Sequence, residues 1–574
     1  MSLPTNWPAM SVADAHARLT APGAPFEMET KVIRGETLRT YKNAPNSLRD
    51  ILLLSRTHGS LDYVVYEDER LTYDAHFKAV AKLASILTTD FGVQKGDRIA
   101  IAMRNLPEWP VIFWAATAVG AIIVPLNAWM TGPELAYTLS DSGSRFAFVD
   151  AERLERIQGE RAGLPELERI VVCRDSSSSA TVLNWETLVG HTNDYANLPD
   201  TSLPAVDIDP EDDATIFYTS GTTGKPKGAL GTHRNICTNL LSTAVHVARG
   251  FLRRGESVPA PDPDAPKKAF LLTVPLFHAT GCHSILIPSL VAGNKLVMMY
   301  RWNADRGLEL IERERINAFG GVPTIAWQIL EHPRLSEFDT SCVESVSYGG
   351  APAPPELVKR IVDAFPGVSP GNGYGLTETS SVTSQNSAED YRNRPASVGP
   401  AVPVCDVKIV DDAGNTLPCG ATGELWIRGP NVVKGYWNKP DATEQTFGGG
   451  WLRSGDIARI DEEGFIFILD RAKDMLIRGG ENIYCTEVED SLYTHPAVVD
   501  AAIVGIPDHI LGEEVGAVVQ VKTGMTVSAA DLQHHVERQL AAFKVPKVIK
   551  FMDEPLPRNA NGKILKRELK KLFS

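Results

Sequence analysis

A chain of 574 residues is longer than one hydrophobic core usually organises, so we expect two or more subdomains. Its 57 basic and 71 acidic residues leave a net charge of −14, which argues against nucleic acid as a general partner. The seven cysteines lack paired spacing, and the N-terminus lacks the basic and apolar regions of a secretion signal. Both features favour reduced thiols and a cytoplasmic location.

Helical and strand patterns alternate along most of the chain. Apolar periodicity predicts helices at 75–88 and 308–316, and β-branched runs predict strands at 98–103, 146–149 and 270–274. Such alternation is typical of parallel sheets covered by helices on both faces, so we predict an α/β fold.

The uncharged stretch 109–133 is long enough to be considered as a membrane span. However, Gly120, Pro125 and Asn127 interrupt it, and its composition changes to the β-branched run 122–124. We therefore predict a buried helix followed by a buried strand, and no transmembrane segment. Contact with a membrane surface stays open if the substrate is a lipid.

The segment 218–228 combines hydroxyl side chains, glycines and two lysines directly after a predicted strand at 216–218. Glycines let backbone N–H groups approach an anion, hydroxyls donate hydrogen bonds, and lysines bring positive charge to phosphate oxygens. It is not a Walker loop, because no glycine stands four residues ahead of a Gly-Lys-Ser/Thr triplet. The alternative is a flexible surface turn. We predict a nucleotide polyphosphate site formed by Thr219, Ser220, Gly221, Thr222, Thr223, Gly224, Lys225 and Lys227.

The C-terminal part changes in character. Alternation and an Asp-Ala-Gly-Asn turn predict a β-hairpin over 404–428. After residue 470, short strands and helices alternate in a compact stretch, which indicates a separate small domain.

The segment 218–228 resembles the nucleotide-binding signature of the adenylate-forming superfamily, which includes acyl-CoA synthetases, firefly luciferases and the adenylation domains of peptide synthetases. Further segments resemble that family's motifs in the same order: 348–352, 373–379, 423–429, 435–437, 454–456, 470–474 with 479–483, and 557–563. The chain is most similar to a fatty-acid–CoA ligase. The resemblance implies a large N-terminal domain (1–473) of parallel sheets plus a β-barrel-like subdomain, and a small mobile α+β domain (474–574) that carries the adenylation lysine.

The resemblance also implies roles for individual residues. The phosphate loop would hold the β- and γ-phosphates, Thr377 the α-phosphate, and Glu378 a magnesium ion. Lys563 would be the catalytic lysine, and Lys473 the hinge. The adenosine site would be formed by Gly349, Gly350, Ala351, Tyr374, Gly375, Asp456 and Arg471, with Tyr374 stacking on the base and Asp456 accepting the ribose hydroxyls. The CoA site would include Gly479, Gly480 and Glu481.

An acyl pocket is expected around His278, which the family often uses as a rotamer switch between the half-reactions. Small residues at Gly320, Gly321, Val322 and Gly350 would leave room for a long or bulky acyl group. His278 and His283 could suggest zinc, but a His-x4-His spacing is poor for a metal site.

The resemblance implies an acyl-CoA synthetase: a carboxylate and ATP form acyl-AMP and pyrophosphate, and the thiol of CoA then displaces AMP. We expect ATP, Mg²⁺ and CoA as cofactors and a medium- to long-chain fatty acid as substrate. Three alternatives stay open: an aryl or alicyclic acid, an adenylating ligase that passes the acyl group to an amine or a carrier protein, and a non-catalytic nucleotide-binding protein. The oligomeric state is open too, with a homodimer as one option.

Overall fold

The computed structural model describes residues 7–219, 225–260, 262, 265–351, 353–559 and 562–573. The strands are β1 (Met28–Ile33), β2 (Glu36–Tyr41), β3 (Asp62–Tyr66), β4 (Glu69–Thr72), β5 (Arg98–Ala102), β6 (Ile122–Pro125), β7 (Phe146–Asp150), β8 (Arg169–Cys173), β9 (Val182–Asn184), β10 (Asp213–Thr219), β11 (Lys227–Thr232), β12 (Ala269–Leu272), β13 (Lys295–Met298), β14 (Ala318–Gly321), β15 (Ser345–Gly349), β16 (Ser369–Tyr374), β17 (Ser384–Ser387), β18 (Gly399–Pro400), β19 (Asp406–Val410), β20 (Gly423–Arg428), β21 (Leu452–Ile460), β22 (Phe465–Arg471), β23 (Leu476–Arg478), β24 (Glu481–Ile483), β25 (Val498–Asp508), β26 (Gly512–Val521) and β27 (Val548–Met552).

The helices are α1 (Val12–Thr20), α2 (Leu48–Leu54), α3 (Tyr73–Thr89), α4 (Glu108–Ala118), α5 (Gly132–Ser142), α6 (Ala151–Gln158), α7 (Trp185–Leu188), α8 (His233–Arg253), α9 (Ala279–Gly281), α10 (Ile287–Ala292), α11 (Ala304–Arg313), α12 (Pro323–Leu330), α13 (Pro355–Ala364), α14 (Ala388–Asn393), α15 (Pro440–Phe447), α16 (Cys485–Tyr493), α17 (Ala529–Glu537) and α18 (Lys566–Lys570).

Two large, mostly parallel sheets form the N-terminal part. One has the order β11-β10-β6-β5-β7-β8-β9, and the other has the order β17-β16-β15-β14-β12-β13-β3-β4. Among the described strands of these two sheets, antiparallel pairs occur only at the sheet edges, namely β10 with β11, β16 with β17 and β3 with β4. The helices α3 and α4 share one buried core with inward-facing residues of both sheets. The prediction of an α/β fold with helix-covered parallel sheets is confirmed.

The uncharged stretch behaves as predicted. Helix α4 is buried along its whole length, and the chain turns at Gly120 (φ 75°) into the buried strand β6. None of the described helices is both long and apolar enough to cross a bilayer. The helix predicted at 308–316 is shorter than expected: α11 ends at Arg313, and Arg315 with φ 52° takes the chain out of helical geometry.

The third sheet is antiparallel, with the order β18-β22-β21-β20-β19. The predicted hairpin is present, because β19 and β20 pair from Asp406 opposite Arg428 to Val410 opposite Glu424. The Asp411 carboxylate closes the turn by accepting hydrogen bonds from the backbone N–H groups of Ala413 and Asn415.

From β23 onwards the chain forms a smaller unit with its own sheet, which joins β23, β24, β25, β26 and β27. Helices α16 and α17 pack on this sheet through a separate core that includes Val488, Leu492, Ile503, Val515 and Leu532. Residues 472–474 form the turn between β22 and β23. The domain boundary after residue 473 stays a prediction.

Candidate active site

Several predicted site segments lie at the carboxyl ends of strands in the two large sheets, β10 in one and the neighbouring strands β14, β15 and β16 in the other. Strand β10 ends at Thr219, β14 at Gly321, β15 at Gly349 and β16 at Tyr374. Ligands of parallel α/β sheets bind in the crevice outside these ends. Tyr436, which contacts both Lys227 and Glu378, shows that the fold brings together segments of the two sheets that the sequence separates by more than a hundred residues.

The two ends of the predicted phosphate loop are held by strand pairing and by contacts of its lysines with aromatic rings. Thr219 lies opposite Lys227 in the β10–β11 pair, and its hydroxyl donates to the Lys227 carbonyl over 3.3 Å. Two lysines lie over aromatic rings: Lys225 Nζ is 4.7 Å from the Tyr137 ring centroid, and Lys227 Nζ is 4.5 Å from that of Tyr436. The predictions for Ser220, Gly221, Thr222, Thr223 and Gly224 lie outside the described residues.

Asp141 on α5, a carboxylate whose side chain is only 9% exposed, supports this loop, and sequence reasoning missed it. It accepts a hydrogen bond from the Tyr218 hydroxyl (2.8 Å), and Lys439 pairs with it at 2.6 Å. The indole of Trp437 donates to its backbone carbonyl over 3.1 Å. Asp141 thus joins the strand before the loop to the segment after Tyr436.

The predicted magnesium ligand lies next to the phosphate loop. Thr377 and Glu378 form a short 3₁₀ turn after β16. Glu378 Oε1 accepts a hydrogen bond of 2.7 Å from the Tyr436 hydroxyl, and the Tyr436 ring lies against Lys227. A carboxylate beside a lysine-bearing phosphate loop is the donor set that Mg²⁺ and a polyphosphate require together. The motif 435–437 was recognised in the sequence, but the role of Tyr436 was not.

Strained backbone fixes the orientation of Thr377 and Glu378. Ser380 (φ 53°) and Ser381 (φ 104°) lie in the left-handed region, which non-glycine residues rarely adopt. Asn239 Nδ2 donates to the Ser380 carbonyl over 2.5 Å, and His283 Nδ1 donates to the same oxygen over 3.1 Å. Any Cβ at Gly375 would run into the Ser381 carbonyl oxygen, so glycine is required there.

The predicted ribose site brings three residues together. Asp456 in β21 lies opposite Arg471 in β22, and Arg471 Nε is 2.6 Å from its carboxylate. The Tyr374 hydroxyl donates to the other carboxylate oxygen over 2.5 Å. Burial raises the pKa of Asp456, while Arg471 and Tyr374 partly offset that rise. The stacking of Tyr374 on adenine stays a prediction, whereas its contact with Asp456 was not foreseen.

Lys563 is held against this ribose site. Its loop is closed by the Asn559 side chain, which accepts from the Lys563 backbone N–H, and by Arg558, which donates to the Gly562 carbonyl over 2.6 Å. Arg558 is itself fixed by Asp500 at 2.5 Å. Burial and the nearby Arg471 lower the pKa of Lys563 from 10.5 to about 8. The negative charge of Asp456 acts in the opposite direction and limits this decrease.

His278 lies at the start of α9, with the Phe277 ring edge-on at 4.6 Å. Its buried Nε2 has no hydrogen-bond partner among the described residues. Burial and the charge of Lys563 lower its pKa to about 3, so the imidazole is neutral. The segment before it is pinned by Asn105, which donates to the Val274 carbonyl (3.1 Å) and accepts from the Leu276 N–H (2.9 Å).

The glycines of the predicted acyl pocket differ in role. A side chain at Gly320 could not project into the predicted pocket, because a Cβ there would run into the backbone carbonyl of Ser347 on the adjacent strand β15. At Gly321 (φ 127°) a Cβ would come within 2.7 Å of Thr273 Oγ1. At Gly350 (φ 74°) no atom of the described residues lies within 4 Å of the Cβ position, so of these three glycines it is the one where a side chain meets open space.

The remaining glycines serve close packing. A Cβ at Gly349 would come within 2.5 Å of the Gly373 carbonyl oxygen. One at Gly562 would come within 2.6 Å of Val322, which shows that the Lys563 loop rests on the predicted acyl pocket. Ala351 follows β15 and is half-buried.

The predicted hinge and CoA residues lie on the surface. Lys473 is exposed in the turn after β22. Nearby, the Asp470 carboxylate accepts from the backbone N–H groups of Arg471 (2.7 Å) and Cys485 (2.6 Å), and burial raises its pKa to about 6. Gly479 (φ 59°) and Gly480 (φ 91°) form the exposed turn between β23 and β24, and the exposed Glu481 is the first residue of β24.

Comparison with known proteins agrees with this geometry. The AMP-binding enzyme family model matches residues 55–437, and the AMP-binding enzyme C-terminal domain model matches residues 487–563. The feruloyl-CoA synthase of Amycolatopsis sp is 34% identical over 88% of this chain and 94% of its own. The long-chain-fatty-acid–CoA ligase FadD13 of Mycobacterium tuberculosis is 33% identical over the same shares, 88% and 94%.

The solved structure of the anthranilate CoA ligase AuaEII in complex with anthranoyl-AMP superposes with a TM-score of 0.81. It is 28% identical in sequence, and the match covers 92% of this chain and 97% of that one. The chain therefore belongs to the AMP-binding enzyme family of the adenylate-forming superfamily, and it is an AMP-forming acid–CoA ligase that uses ATP, Mg²⁺ and coenzyme A.

Proposed function

We propose that this enzyme converts a medium- to long-chain fatty acid into its CoA thioester through an acyl-AMP intermediate. The observation that carries the proposal is the position of Lys563, whose charge acts both on Asp456 at the ribose site and on His278 at the acyl site. A lysine between these two groups can contact both the carboxylate of the acid and the nucleotide that this carboxylate attacks.

In the first step, an oxygen of the acid attacks the α-phosphorus of ATP, and the bond to pyrophosphate breaks. We propose that the Lys563 ammonium brings the two anions together and that Thr377 donates to the α-phosphate. Lys225 and Lys227 would neutralise the leaving pyrophosphate. When bound, Mg²⁺ supplies further positive charge at the phosphate oxygens, and Glu378 would hold it.

In the second step, the CoA sulfur attacks the acyl carbonyl and AMP leaves with the bonding electron pair. We propose that the smaller domain, beginning after residue 473, turns about Lys473 and replaces Lys563 with the turn Gly479–Glu481. A turn residue with an exposed side chain can absorb such a change in φ and ψ. The bond from the Cys485 N–H to Asp470 spans this hinge, so it would have to adjust during the rotation.

The proposed acid is apolar beyond its carboxylate. The imidazole of His278 is neutral, Phe277 packs against it, and Val322 lies below the Lys563 loop. Such surroundings suit a hydrocarbon chain. An aryl acid is the second candidate, because the feruloyl-CoA synthase of Amycolatopsis sp is as similar to the chain as the fatty-acid ligase is. The seven cysteines are all unpaired, which supports the cytoplasmic location that we propose.

A panel of acids tests the proposal. Straight-chain acids of increasing length, ferulate and benzoate would be compared by CoA-dependent AMP formation, with pyrophosphate release without CoA as the measure of adenylation alone. We expect the highest kcat/KM for a medium or long fatty acid. A higher value for ferulate than for every fatty acid would contradict the proposal and favour the aryl alternative.

A further inference from the structure

A cavity of about 390 Å³ lies between the large domain and the smaller one. Helix α13 of the large domain forms one wall, and helix α16 with the segment after α17 forms the other. The charged residues of its lining are Glu356 and Lys359 on the large domain and Glu487 and Asp490 on the smaller one. Because the walls belong to different domains, a rotation of the smaller domain would open this cavity to water.

Of the three carboxylates on α16, Asp490 is the one without a counter-ion. Lys544 lies 2.5 Å from Glu487, and Lys566 lies 2.7 Å from Glu489. Asp490 is half-buried at the cavity and makes neither an ion pair nor a hydrogen bond with any described residue. Burial and the like charges of Glu489 and Glu487 raise its pKa well above the ordinary value.

The facing elements do not supply the missing positive charge. On α13, Glu356 is a further carboxylate, and Lys359 is exposed and makes no ion pair with Asp490. On α14 of the large domain, the pKa of Tyr391 is raised by burial and, more weakly, by the charge of Asp490. The segment after α17 contributes the uncharged Gln539. The charge of Asp490 is therefore felt in the large domain without being balanced there.

Docking of the smaller domain thus places a carboxylate away from water with no partner. Such a group costs free energy as long as it is ionised, and the cost disappears when it is protonated or returned to water. The ionised side chain therefore opposes the docked arrangement in which Lys563 lies at the ribose site, whereas the neutral acid does not.

We propose that Asp490 is a positioning residue for the rotation between the two half-reactions: its charge weakens the docking of the smaller domain and so favours the arrangement that presents CoA. This inference rests on the domain rotation of the proposed function and is independent of which acid is used. It names a group that helps the smaller domain to leave after adenylation.

The two half-reactions measured separately test this role. Asp490→Asn keeps the shape of the side chain and removes its charge. We expect pyrophosphate release without CoA to stay at the wild-type rate or above it. With supplied acyl-AMP of the best acid in the panel, kcat/KM for CoA should fall about tenfold at pH 8, because one unit of difference in pKa between two arrangements changes their ratio tenfold.

The pH profile separates this effect from a loss of packing. The rotated arrangement ionises Asp490 above about pH 4, and the docked one only above its raised pKa. The ratio of wild-type to Asp490→Asn kcat/KM for CoA should therefore grow as the pH is raised from 5, and become constant above the pKa of the docked state. Ionisation of the CoA thiol affects both enzymes equally and cancels in this ratio.

A second variant changes the opposite wall. Lys359→Glu places a further negative charge on the large-domain side of the cavity, so it should lower adenylation and leave the second step at the wild-type rate or above it. The matched control is Glu537→Gln, which removes one charge from an exposed position on α17 outside the cavity. It should change neither half-reaction.

A second step of Asp490→Asn equal to that of the wild type at every pH would overturn the proposal, even where Lys473→Pro slows that step and so supports the rotation itself. A ratio that stays constant with pH, or equal slowing of both half-reactions, would assign the effect to packing and overturn it as well. Because acyl-AMP is supplied, a wrong substrate class would not affect this comparison.

Discussion

The lowered pKa of Lys563 predicts how the adenylation step depends on pH. Burial and Arg471 disfavour the ammonium form and bring the pKa from 10.5 to about 8. Only the charged lysine can draw a carboxylate to the α-phosphate. With this pKa, about 90% of the lysine is charged at pH 7 and about 10% at pH 9. We therefore expect kcat/KM for adenylation to fall about tenfold over this range.

The assay is pyrophosphate release at limiting ATP without CoA, because kcat/KM reports the pKa values of the free enzyme. At saturating ATP the bound phosphates favour the ammonium form of Lys563 and raise its pKa. The fall in the adenylation rate should therefore occur at higher pH. Conversion of supplied acyl-AMP by CoA should lack this fall, since the proposed mechanism uses Lys563 only in the first step. Lys563→Ala should lower the rate of adenylation by about 10²–10³ and leave the rate of the second step unchanged.

Lys563→Arg identifies the titrating group, because arginine stays charged throughout this range. Its residual adenylation should show no fall between pH 7 and pH 9, whereas Lys550→Arg, at an exposed position of the same domain, should keep the wild-type profile. A flat wild-type profile would refute the lowered pKa. A fall that persists in Lys563→Arg would assign the titration to another group.

Four further outcomes are expected. Glu378→Ala should lower Mg²⁺-dependent pyrophosphate release by about 10²–10³, and a near-normal rate would exclude it as the metal ligand. Gly320→Ala should cost about 1–3 kcal/mol of unfolding free energy in urea without changing chain-length preference, whereas Gly350→Leu should shift preference toward shorter acids. Lys473→Pro should form acyl-AMP but release AMP slowly when CoA is added; equal loss of both steps would contradict the hinge. Burial holds the pKa of His246 well below 6.5, so unfolding free energy should fall as the pH drops below about 6.5, and His246→Gln should flatten that slope.

The sequence predicted which residues the fold brings to the candidate site better than it predicted the contacts that position them. Asp456, Arg471 and Lys563 stand in motifs whose chemistry can be read from residue types, and the fold brings all three together. The Tyr436–Glu378 hydrogen bond and the Asn239–Ser380 hydrogen bond join residues 58 and 141 positions apart. Such contacts depend on how helices and sheets pack, and no local pattern reports them.

The glycines show a second limit of sequence reasoning. Gly320 and Gly350 both follow strand patterns, yet a side chain would strike a neighbouring strand at the first and meet open space at the second. Which of the two applies depends on the distance between adjacent backbones. The left-handed backbone at Ser380 and Ser381 was equally unpredictable, because serine has no preference for it and only the surrounding contacts enforce it.

The contacts between the two parts of the chain suit the rotation that we propose for the smaller domain. The Lys563 loop rests on Val322 through a glycine, Trp327 lies parallel to Tyr493 at 6.5 Å, and Lys522 pairs with Glu331 at 3.1 Å. A partly exposed ion pair and one ring contact contribute little free energy, so breaking them during a domain rotation would require little energy. The Arg558 bonds lie within the smaller unit and would travel with Lys563. The proposed rotation would therefore carry Lys563 without breaking the contacts that fix its loop within the smaller domain.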